Sequence, residues 1–305
     1  FAPLAAAQEL VAPPPVDQPI RVAVISDLNG SYGSTVYRWP VDNAVERIVA
    51  LRPDVVLCTG DMVAGMKAGL DYRGMWRSFH AHVTDPITSA GIPFAPTPGN
   101  HDGAAYLAYA RERRIYGEQW TRRKPALRYL DDSRFPLMYS FVMGSCLFVS
   151  LDATKVGRLS SSQRAWIERQ LVAARDYPVK VVYGHVPLYP FAIGRENDYL
   201  GDLELEAMLR RHHVTAFISG HHHAYYPGKR GDLRLVSLAC LGSGQRPLLG
   251  TSSPSVRSFV LFDATSSGLR DLDAYTGVRF DQAIDRRTLP PQVGSGSRTI
   301  VRDDR

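Results

Sequence analysis

Short apolar segments alternate with amphipathic ones along most of this chain. A continuous apolar run of strand length predicts a buried strand, and apolar positions that recur every three or four residues predict a helix. The predicted strands are residues 21–25, 54–59, 92–95, 137–142, 146–151, 180–183, 214–219, 233–238, 258–262 and 269–275. The predicted helices are residues 41–51, 75–90, 104–115, 161–174 and 203–211. Because strands and helices alternate and hairpins interrupt them, the pattern indicates an α/β protein with mixed sheets.

The same pattern divides the chain into three parts. Residues 1–20 are rich in Ala and Pro and are predicted to be an extended leader. Residues 21–275 carry the alternation and are predicted to form the main domain. Residues 276–305 are polar and punctuated by Gly, Ser and Pro, so we predict a C-terminal tail. The alternative is that this last segment packs on the domain surface.

Composition adds little to this picture. The 305 residues are 45% hydrophobic and 22% charged, as in ordinary globular proteins, and the net charge of +6 suits an acidic substrate such as a phosphate. No segment is long and apolar enough for a membrane span. Cys58, Cys146 and Cys240 lie in apolar segments without short spacing, so we predict buried thiols rather than a disulfide or zinc framework.

The leader contains residues that resemble part of an export signal. Ala5, Ala6, Ala7 and Gln8 resemble the small-residue end of an export signal. We therefore expect a periplasmic or secreted protein. The alternative is an Ala/Pro leader on a cytoplasmic protein.

Polar side chains follow five of the predicted strands directly. The five segments read VISDLN, VVLCTGD, FAPTPGNHD, VVYGH and AFISGHHH. In four of them a Gly precedes the key polar residue, which allows a sharp turn and a close approach of the backbone. Since the carboxyl ends of strands in an open α/β sheet are where ligands bind, the clusters predict one shared site.

The side chains in these clusters are donors for metal ions. Carboxylate, amide and imidazole groups form a mixed oxygen and nitrogen set without sulfur, which suits Mn, Fe or Zn. An Asp can bridge two ions about 3.5–4 Å apart, and such a pair activates water and clamps a phosphoryl group.

The order GD, GNHD, GH and GHxH resembles the calcineurin-like metallophosphoesterase superfamily, and LSSSQRAWIERQL resembles that family's helix between the GNHD and GH blocks. The resemblance implies two mixed β-sheets packed face to face with helices outside, a four-layer α/β/β/α catalytic domain over residues 21–275. It implies two divalent or trivalent metal ions and hydrolysis of phosphate mono- or diesters by a metal-bridging hydroxide.

The resemblance also implies residue roles. Asp27 and His223 would bind the first ion, and Asp61 would bridge both ions. The second ion would be completed by Asn100, His185 and His221. His101 would be the general acid that protonates the leaving group, with Asp102 orienting it.

The first cluster departs from the family pattern, which reads Asp-x-His where this chain has Asp27, Leu28 and Asn29. We predict that Asn29 occupies a ligand position with an amide oxygen. This favours Mn, Mg, Ca or Fe over Zn at the first ion, or loosens that ion. Purple acid phosphatases also lack this His but have a Tyr three residues after the GD Asp; that position is Ala64, so the purple branch is not indicated. Tyr32 and Tyr37 could compensate.

Several other residues have plainer interpretations. If the chain is extended at His222, that side chain points away from the site. The remaining histidines, His80, His82, His212 and His213, are predicted to have structural roles. The basic stretch 111–128 is either a solvated helix face or a cationic flank that steers phosphate, with Trp120 as a stacking surface.

We expect a metal-dependent phosphohydrolase acting on a small phosphorylated substrate. Nucleic acid is not expected as a partner, because the chain has no nucleic-acid-binding motif and its basic excess is small. The alternative is a weakly active or inactive protein that uses the fold as a binding scaffold. Asn29 favours that alternative, and retention of His101 opposes it.

Overall fold

The computed structural model describes residues 18–305. The predicted export signal at residues 5–8 lies outside the described residues. The strands are β1 (Ile20–Ile25), β2 (Val55–Cys58), β3 (Phe94–Pro96), β4 (Arg128–Arg134), β5 (Met138–Met143), β6 (Cys146–Ser150), β7 (Val179–Gly184), β8 (Ala216–Ser219), β9 (Tyr226–Arg230), β10 (Leu233–Ser237), β11 (Phe259–Thr265), β12 (Gly268–Thr276), β13 (Gln282–Ala283), β14 (Gln292–Val293) and β15 (Ile300–Arg302). The helices are α1 (Trp39–Leu51), α2 (Tyr72–Phe79), α3 (Asp85–Ser89), α4 (Asn100–Gly103), α5 (Ala110–Arg122), α6 (Ser161–Ala173) and α7 (Leu203–Arg211).

These strands form two mixed sheets. The six-stranded sheet has the order β13-β12-β11-β1-β2-β3, and the nine-stranded sheet has the order β14-β15-β9-β10-β8-β7-β6-β5-β4. In the first sheet β1, β2 and β3 are parallel, and in the second β6, β7, β8 and β10 are parallel. Antiparallel strands complete both sheets toward their edges. The predicted α/β class with mixed sheets is confirmed.

The two sheets pack face to face because their strands are apolar on both sides. In β1, Val22 and Val24 lie in the core between the sheets together with Phe148 of the second sheet. The alternate residues Ala23 and Ile25 lie in the core beneath the helices. Helices α1, α2 and α5 cover the six-stranded sheet, and α6 and α7 cover the nine-stranded sheet. This is the predicted four-layer arrangement.

The parallel strands of both sheets bring the five polar clusters to one edge of this sandwich. Asp27 N donates to Gly60 O at 3.0 Å, which joins the ends of β1 and β2. His185 Nδ1 lies 2.9 Å from Thr59 O, which joins the end of β7 to the end of β2 across the two sheets. The convergence expected from the strand ends is therefore present.

Some elements differ from the sequence prediction. The predicted helix 75–90 begins at Tyr72 and is interrupted by a π-helical turn at His80–Thr84. The predicted helix 104–115 is present only in part, because residues 104–106 are not helical, a 3-10 turn covers Leu107–Tyr109, and α5 begins at Ala110 and continues to Arg122. Strands β4 and β9, RYLDDSR and YPGKR, were not predicted because they lack continuous apolar runs. Trp120 is buried and its ring stacks on Phe94 at 5.3 Å, so it is a core residue and not a surface for stacking.

The segment predicted as a tail adds strands to both sheets. Its strand β13 pairs with β12, and its strand β15 pairs with β9. Val293 and Ile300 are buried in the core beneath α6 and α7. Arg302 is also buried, and its Nη1 donates to Leu289 O at 2.6 Å. The segment therefore packs on the domain, which is the alternative stated above for residues 276–305.

The three cysteines are free and buried, as predicted. Among residues 18–305, no helix combines the length and the apolar character that crossing a bilayer requires.

Candidate metal centre

Four of the predicted metal ligands have a backbone conformation that side chains other than Gly rarely adopt. The φ angles are 53° at Asp27, 52° at Asp61, 66° at His221 and 54° at His223. Such left-handed residues are uncommon and concentrate at functional sites, where the surrounding structure enforces them. Asp27, Asp61 and His221 lie two or three residues after the ends of β1, β2 and β8, and His223 lies in the same turn as His221.

One group of donors converges on a single imidazole nitrogen. His185 Nε2 lies 2.9 Å from Asn100 Oδ1, 3.2 Å from Asp61 Oδ2 and 3.1 Å from His221 Nδ1. One ligand atom from each of Asp61, His185 and His221 lies within 4.8 Å of the others, and all three residues are buried. We name Asp61, Asn100, His185 and His221 the second-ion donors; they fit one cation of mixed oxygen and nitrogen preference.

A smaller group lies beside it. Asp27 Oδ1 and His223 Nε2 are 2.9 Å apart, while Asp27 Oδ2 accepts hydrogen bonds from Ser26 Oγ at 2.6 Å and His221 N at 3.1 Å. Within the described residues, the buried Oδ1 accepts no directed hydrogen bond. A buried carboxylate oxygen that accepts no hydrogen bond is suited to binding a cation. We name Asp27 and His223, with the shared Asp61, the first-ion donors.

Gly220 makes this approach possible. A methyl group at that position would lie 2.7 Å from Asp27 Oδ2, closer than real carbon contacts allow. The Gly before His221 is therefore required for β8 to pass the carboxylate.

Backbone carbonyls fix the orientation of three imidazole rings. The Nδ1 atoms of His185, His101 and His223 lie 2.9 Å from Thr59 O, 2.9 Å from Gly65 O and 2.6 Å from Gly244 O, respectively. Each carbonyl can only accept, so each Nδ1 carries the proton and donates it. The Nε2 lone pairs of these rings therefore face the site, as a ligand or a proton donor-acceptor requires.

His221 is oriented the other way, by a residue that sequence reasoning missed. Its Nδ1 faces His185, and its buried Nε2 lies 3.1 Å from Asp198 Oδ1 without a directed hydrogen bond. Asp198 also pairs with Arg195. It lies in the loop between β7 and α7, without a strand or Gly signal beside it, so no pattern in the sequence marks it.

His222 binds this same loop. Its Nδ1 accepts a hydrogen bond from Phe191 N at 3.1 Å, and its Nε2 donates to Asp198 O at 2.8 Å. The ring is fully buried. The extended chain that the sequence prediction assumed is absent here, because His221 and His223 have φ angles of 66° and 54°, and both ring nitrogens are engaged with the loop between β7 and α7. It holds the loop that carries Asp198.

Both amide atoms of Asn29 take part in local hydrogen bonds. Oδ1 accepts from Ser31 N at 3.2 Å, and Nδ2 donates to Ser34 O at 3.2 Å. The ligand role of Asn29 stays a prediction. Tyr37 donates its hydroxyl to Met62 O at 2.6 Å, so it serves the loop rather than replacing a ligand.

His101 lies at the rim of the centre. Its backbone N donates to Asp61 Oδ1 at 2.8 Å, and its Nε2 lies 4.0 Å from Asp61 Oδ2. A quarter of its side chain is exposed, and the exposed ring of Tyr32 lies 5.4 Å from it. The ring can therefore reach both the donors and an incoming ligand.

Asp102 contacts backbone amides rather than the His101 ring. Its Oδ1 accepts from Met62 N at 2.9 Å and Val63 N at 3.0 Å, and its Oδ2 accepts from Gly99 N at 2.9 Å. The carboxylate thereby ties the loop after β2 to the turn before α4. The predicted orientation of His101 by Asp102 can act only through this backbone.

The buried charges shift one another. Burial raises the pKa of Asp61, but the adjacent His185 and His101 outweigh burial and hold that pKa far below its usual value. Burial lowers the pKa of His185, but Asp61 and Asp27 raise it to about 9. Burial, together with the charge of Asp61, raises the pKa of Asp102 to about 7. The carboxylates thus favour positive charge at this point, which a metal ion would supply in place of protons.

Comparison with known proteins identifies a family to which this chain is similar. The family model described as calcineurin-like phosphoesterase matches residues 20–225. The chain is 26% identical over 239 residues to the Bos taurus protein named serine/threonine-protein phosphatase CPPED1, covering 72% of this chain and 68% of that protein. It is 27% identical over 198 residues to tartrate-resistant acid phosphatase type 5 of Sus scrofa, covering 58% of this chain and 54% of that protein.

Among solved structures, the fold is similar to that of a purple acid phosphatase, PPD1, from yellow lupin seeds. The TM-score is 0.66 at 19% identity, and the match covers 89% of this chain but 54% of that one. The chain thus spans about half the length of the lupin protein. The likeness concerns the fold, since position 64 remains a buried Ala here. The match of the family model over most of the chain, together with the strand-end donors, shows that the chain belongs to the calcineurin-like phosphoesterase family.

Proposed function

We propose that this protein is a dinuclear-metal phosphohydrolase that cleaves esters of a small phosphorylated substrate. The observation that carries the proposal is the convergence of Asp61, Asn100 and His221 on His185 Nε2, at 2.9–3.2 Å. The first-ion donors adjoin this group through Asp61. When bound, two ions of Mn, Fe or Zn would supply the positive charge that activates water and binds phosphoryl oxygens.

The protein's own residues would contribute orientation and proton transfer. His101 has its Nδ1 proton engaged with Gly65 O, so its Nε2 can carry a proton to a leaving alcohol oxygen. The hydrogen bond from His101 N to Asp61 Oδ1 keeps this ring next to the bridging carboxylate. Both relatives with matching sequences are named phosphatases, which supports extending phosphatase activity to this chain.

The test combines metal analysis with hydrolysis of chromogenic phosphate esters in the presence of Mn²⁺. We expect bound metal in the purified protein and turnover of p-nitrophenyl phosphate or its bis-ester. His101→Asn should lower kcat by about a hundredfold or more while leaving metal content unchanged, because it removes the proton donor but no ligand. His82→Asn is the matched control, since His82 pairs with Asp42 away from the site.

An unchanged rate in His101→Asn would disprove the role of His101. Absence of both metal and turnover in the wild type would disprove the proposed function itself.

The use of the Asn29 amide in its own loop favours a second candidate, a binding protein that retains the fold with little activity. In that case the protein would hold one ion or none and hydrolyse neither ester. The orientation of His101, which a binding scaffold does not need, favours the enzyme.

A further inference from the structure

Arg246 has a guanidinium group without a partner. Within residues 18–305 it forms no side-chain hydrogen bond or ion pair, and its Nε is buried without an acceptor. An unpaired buried donor costs free energy, and a charged one costs more. The planar guanidinium is matched by the oxygens of a phosphate or carboxylate, so the group is suited to an anionic ligand.

The position of Arg246 links this group to the metal centre. Its backbone N approaches the carbonyl oxygen of His223 at 3.4 Å, and the ring of His223 faces Asp27. Its Nη1 lies above Gly194, where an added methyl group would be 3.6 Å away. The side chain therefore extends from the first-ion donors toward the loop between β7 and α7.

A second cation lies in that loop. Arg195 pairs with Asp198, which lies beside His221 of the second-ion donors. The Nε of Arg195 is also buried and has no acceptor among the described residues. Arg246 Nη1 thus lies beside Gly194, the residue before Arg195, and of these two arginines only Arg195 has a carboxylate partner within the described residues.

The electrostatic environment agrees with this placement. Burial lowers the pKa of Arg246, and the charge of Arg195 lowers it further, while Asp198 and Asp27 raise it. Arg195, Asp198 and Asp27 therefore all influence the charge of Arg246. An anion bound there would relieve the repulsion between the two guanidinium groups.

We propose that Arg246, with Arg195 beside it, forms an anion subsite that binds a phosphoryl oxygen of the substrate and so selects phosphate monoesters over diesters. The inference rests on the proposed function for the reaction, but the anion subsite can be tested separately. A monoester presents a dianionic phosphoryl group near neutral pH, whereas a diester presents a single negative charge. A third positive group at the site therefore favours the monoester.

The experiment compares Arg246→Gln with the wild type on p-nitrophenyl phosphate and bis-p-nitrophenyl phosphate, with metal content measured in each preparation. We expect kcat/KM for the monoester to fall about tenfold or more, because a hydrogen bond to a charged group is lost. The value for the diester should change less than about threefold. Arg246→Lys, which keeps the charge, should recover part of the monoester activity.

Arg270→Gln is the matched control. Arg270 is exposed on β12, and its partner across the strand pair is Asp263 of β11. Asp263 in turn lies opposite Arg21, at the start of β1, whereas Asp27 follows the other end of that strand. It should leave both esters unaffected. Equal losses on the two esters in Arg246→Gln, or no loss on either, would overturn the selection of monoesters.

Binding of inorganic phosphate to the metal-loaded protein, measured by calorimetry, tests the subsite without catalysis. Arg246→Gln should weaken this affinity about tenfold relative to the wild type and to Arg270→Gln. If the wild type hydrolyses neither ester but this difference persists, the proposed function fails while the subsite stands. Equal phosphate affinity in all three proteins would overturn the subsite.

Discussion

The two halves of the proposed metal centre differ in how completely the protein surrounds them. The second-ion donors are four residues that follow four different strands, and one imidazole nitrogen approaches the other donor atoms at 2.9–3.2 Å. The first-ion donors consist of Asp27, His223 and the shared Asp61, while the nearby Asn29 amide forms hydrogen bonds within its own loop. The difference teaches that the second half should bind its ion more tightly, and that the first half should gain affinity when a stronger donor is supplied at position 29.

The largest effect is expected from Asp61→Asn, because this carboxylate is common to both halves. We expect metal affinity and turnover to fall by more than the roughly 10–100-fold that is typical when a residue outside the ligand set of a metal site is replaced, so that both ions are lost. Element-specific analysis after dialysis measures the ions retained. Asp281→Asn, at an exposed carboxylate, is the control. Retention of two ions by Asp61→Asn would break the comparison altogether.

A smaller effect is expected from Asp198→Ala, and it should fall on the second half alone. Removing the carboxylate beside His221 Nε2 leaves the ring free to turn, so affinity for the second ion should fall about tenfold. Titration of the metal-free protein with Mn²⁺, followed by electron paramagnetic resonance, measures this affinity. Asn197→Ala changes an exposed neighbour in the same loop and should have no effect. If the two variants bind alike, Asp198 does not position His221.

Asn29→His should change the first half in the opposite direction. An imidazole is the ligand that the family pattern has at this position, so the first ion should bind several-fold more tightly if the side chain turns inward. The variant loses the hydrogen bonds to Ser31 N and Ser34 O, at a cost of about 1 kcal/mol each in stability. The same Mn²⁺ titration measures the gain. An unchanged affinity would mean that position 29 does not contact the first ion.

The smallest effect on the metal centre is expected from His80, which lies in the helical layer. Burial, with a contribution from Arg123, lowers the pKa of His80 to about 4. The unfolded chain therefore binds a proton that the folded protein does not, and stability should fall as the pH decreases from about 6.5 toward 4. His80→Phe should flatten this part of the stability curve, measured by urea unfolding, without changing Mn²⁺ affinity at neutral pH. A pH dependence identical to that of the wild type would assign it to other groups.

Much of the fold was predictable because the main strands are continuous apolar runs buried on both sides. Strands β1 and β2 appear in the sequence as the short continuous apolar runs VAVI and VVLC, which are typical of buried strands. By contrast β4, β9 and the strands after residue 280 are short, polar or at sheet edges. They form because a partner strand is already in place, and that information is not local.

The candidate centre shows the same division. Six candidate donors follow apolar runs in the sequence, so their common location follows from strand direction. They are Asp27, Asp61, Asn100, His185, His221 and His223. Asp102 was identified through the family resemblance of the GNHD motif, but its contacts with three backbone amides were not foreseen. Asp198, Arg195 and Arg246 lie in loops whose course depends on what they pack against.

By itself the sequence determined the α/β class with mixed sheets and the strand ends that carry the candidate donors, because strand periodicity and residue chemistry are local properties; the layer order was implied only by the family resemblance. Only the tertiary structure decided which nitrogen of each imidazole faces inward, that the Asn29 amide serves its loop, and that a guanidinium without a carboxylate borders the centre. Those outcomes depend on contacts between segments distant in the chain, whose geometry exists only once the two sheets have packed.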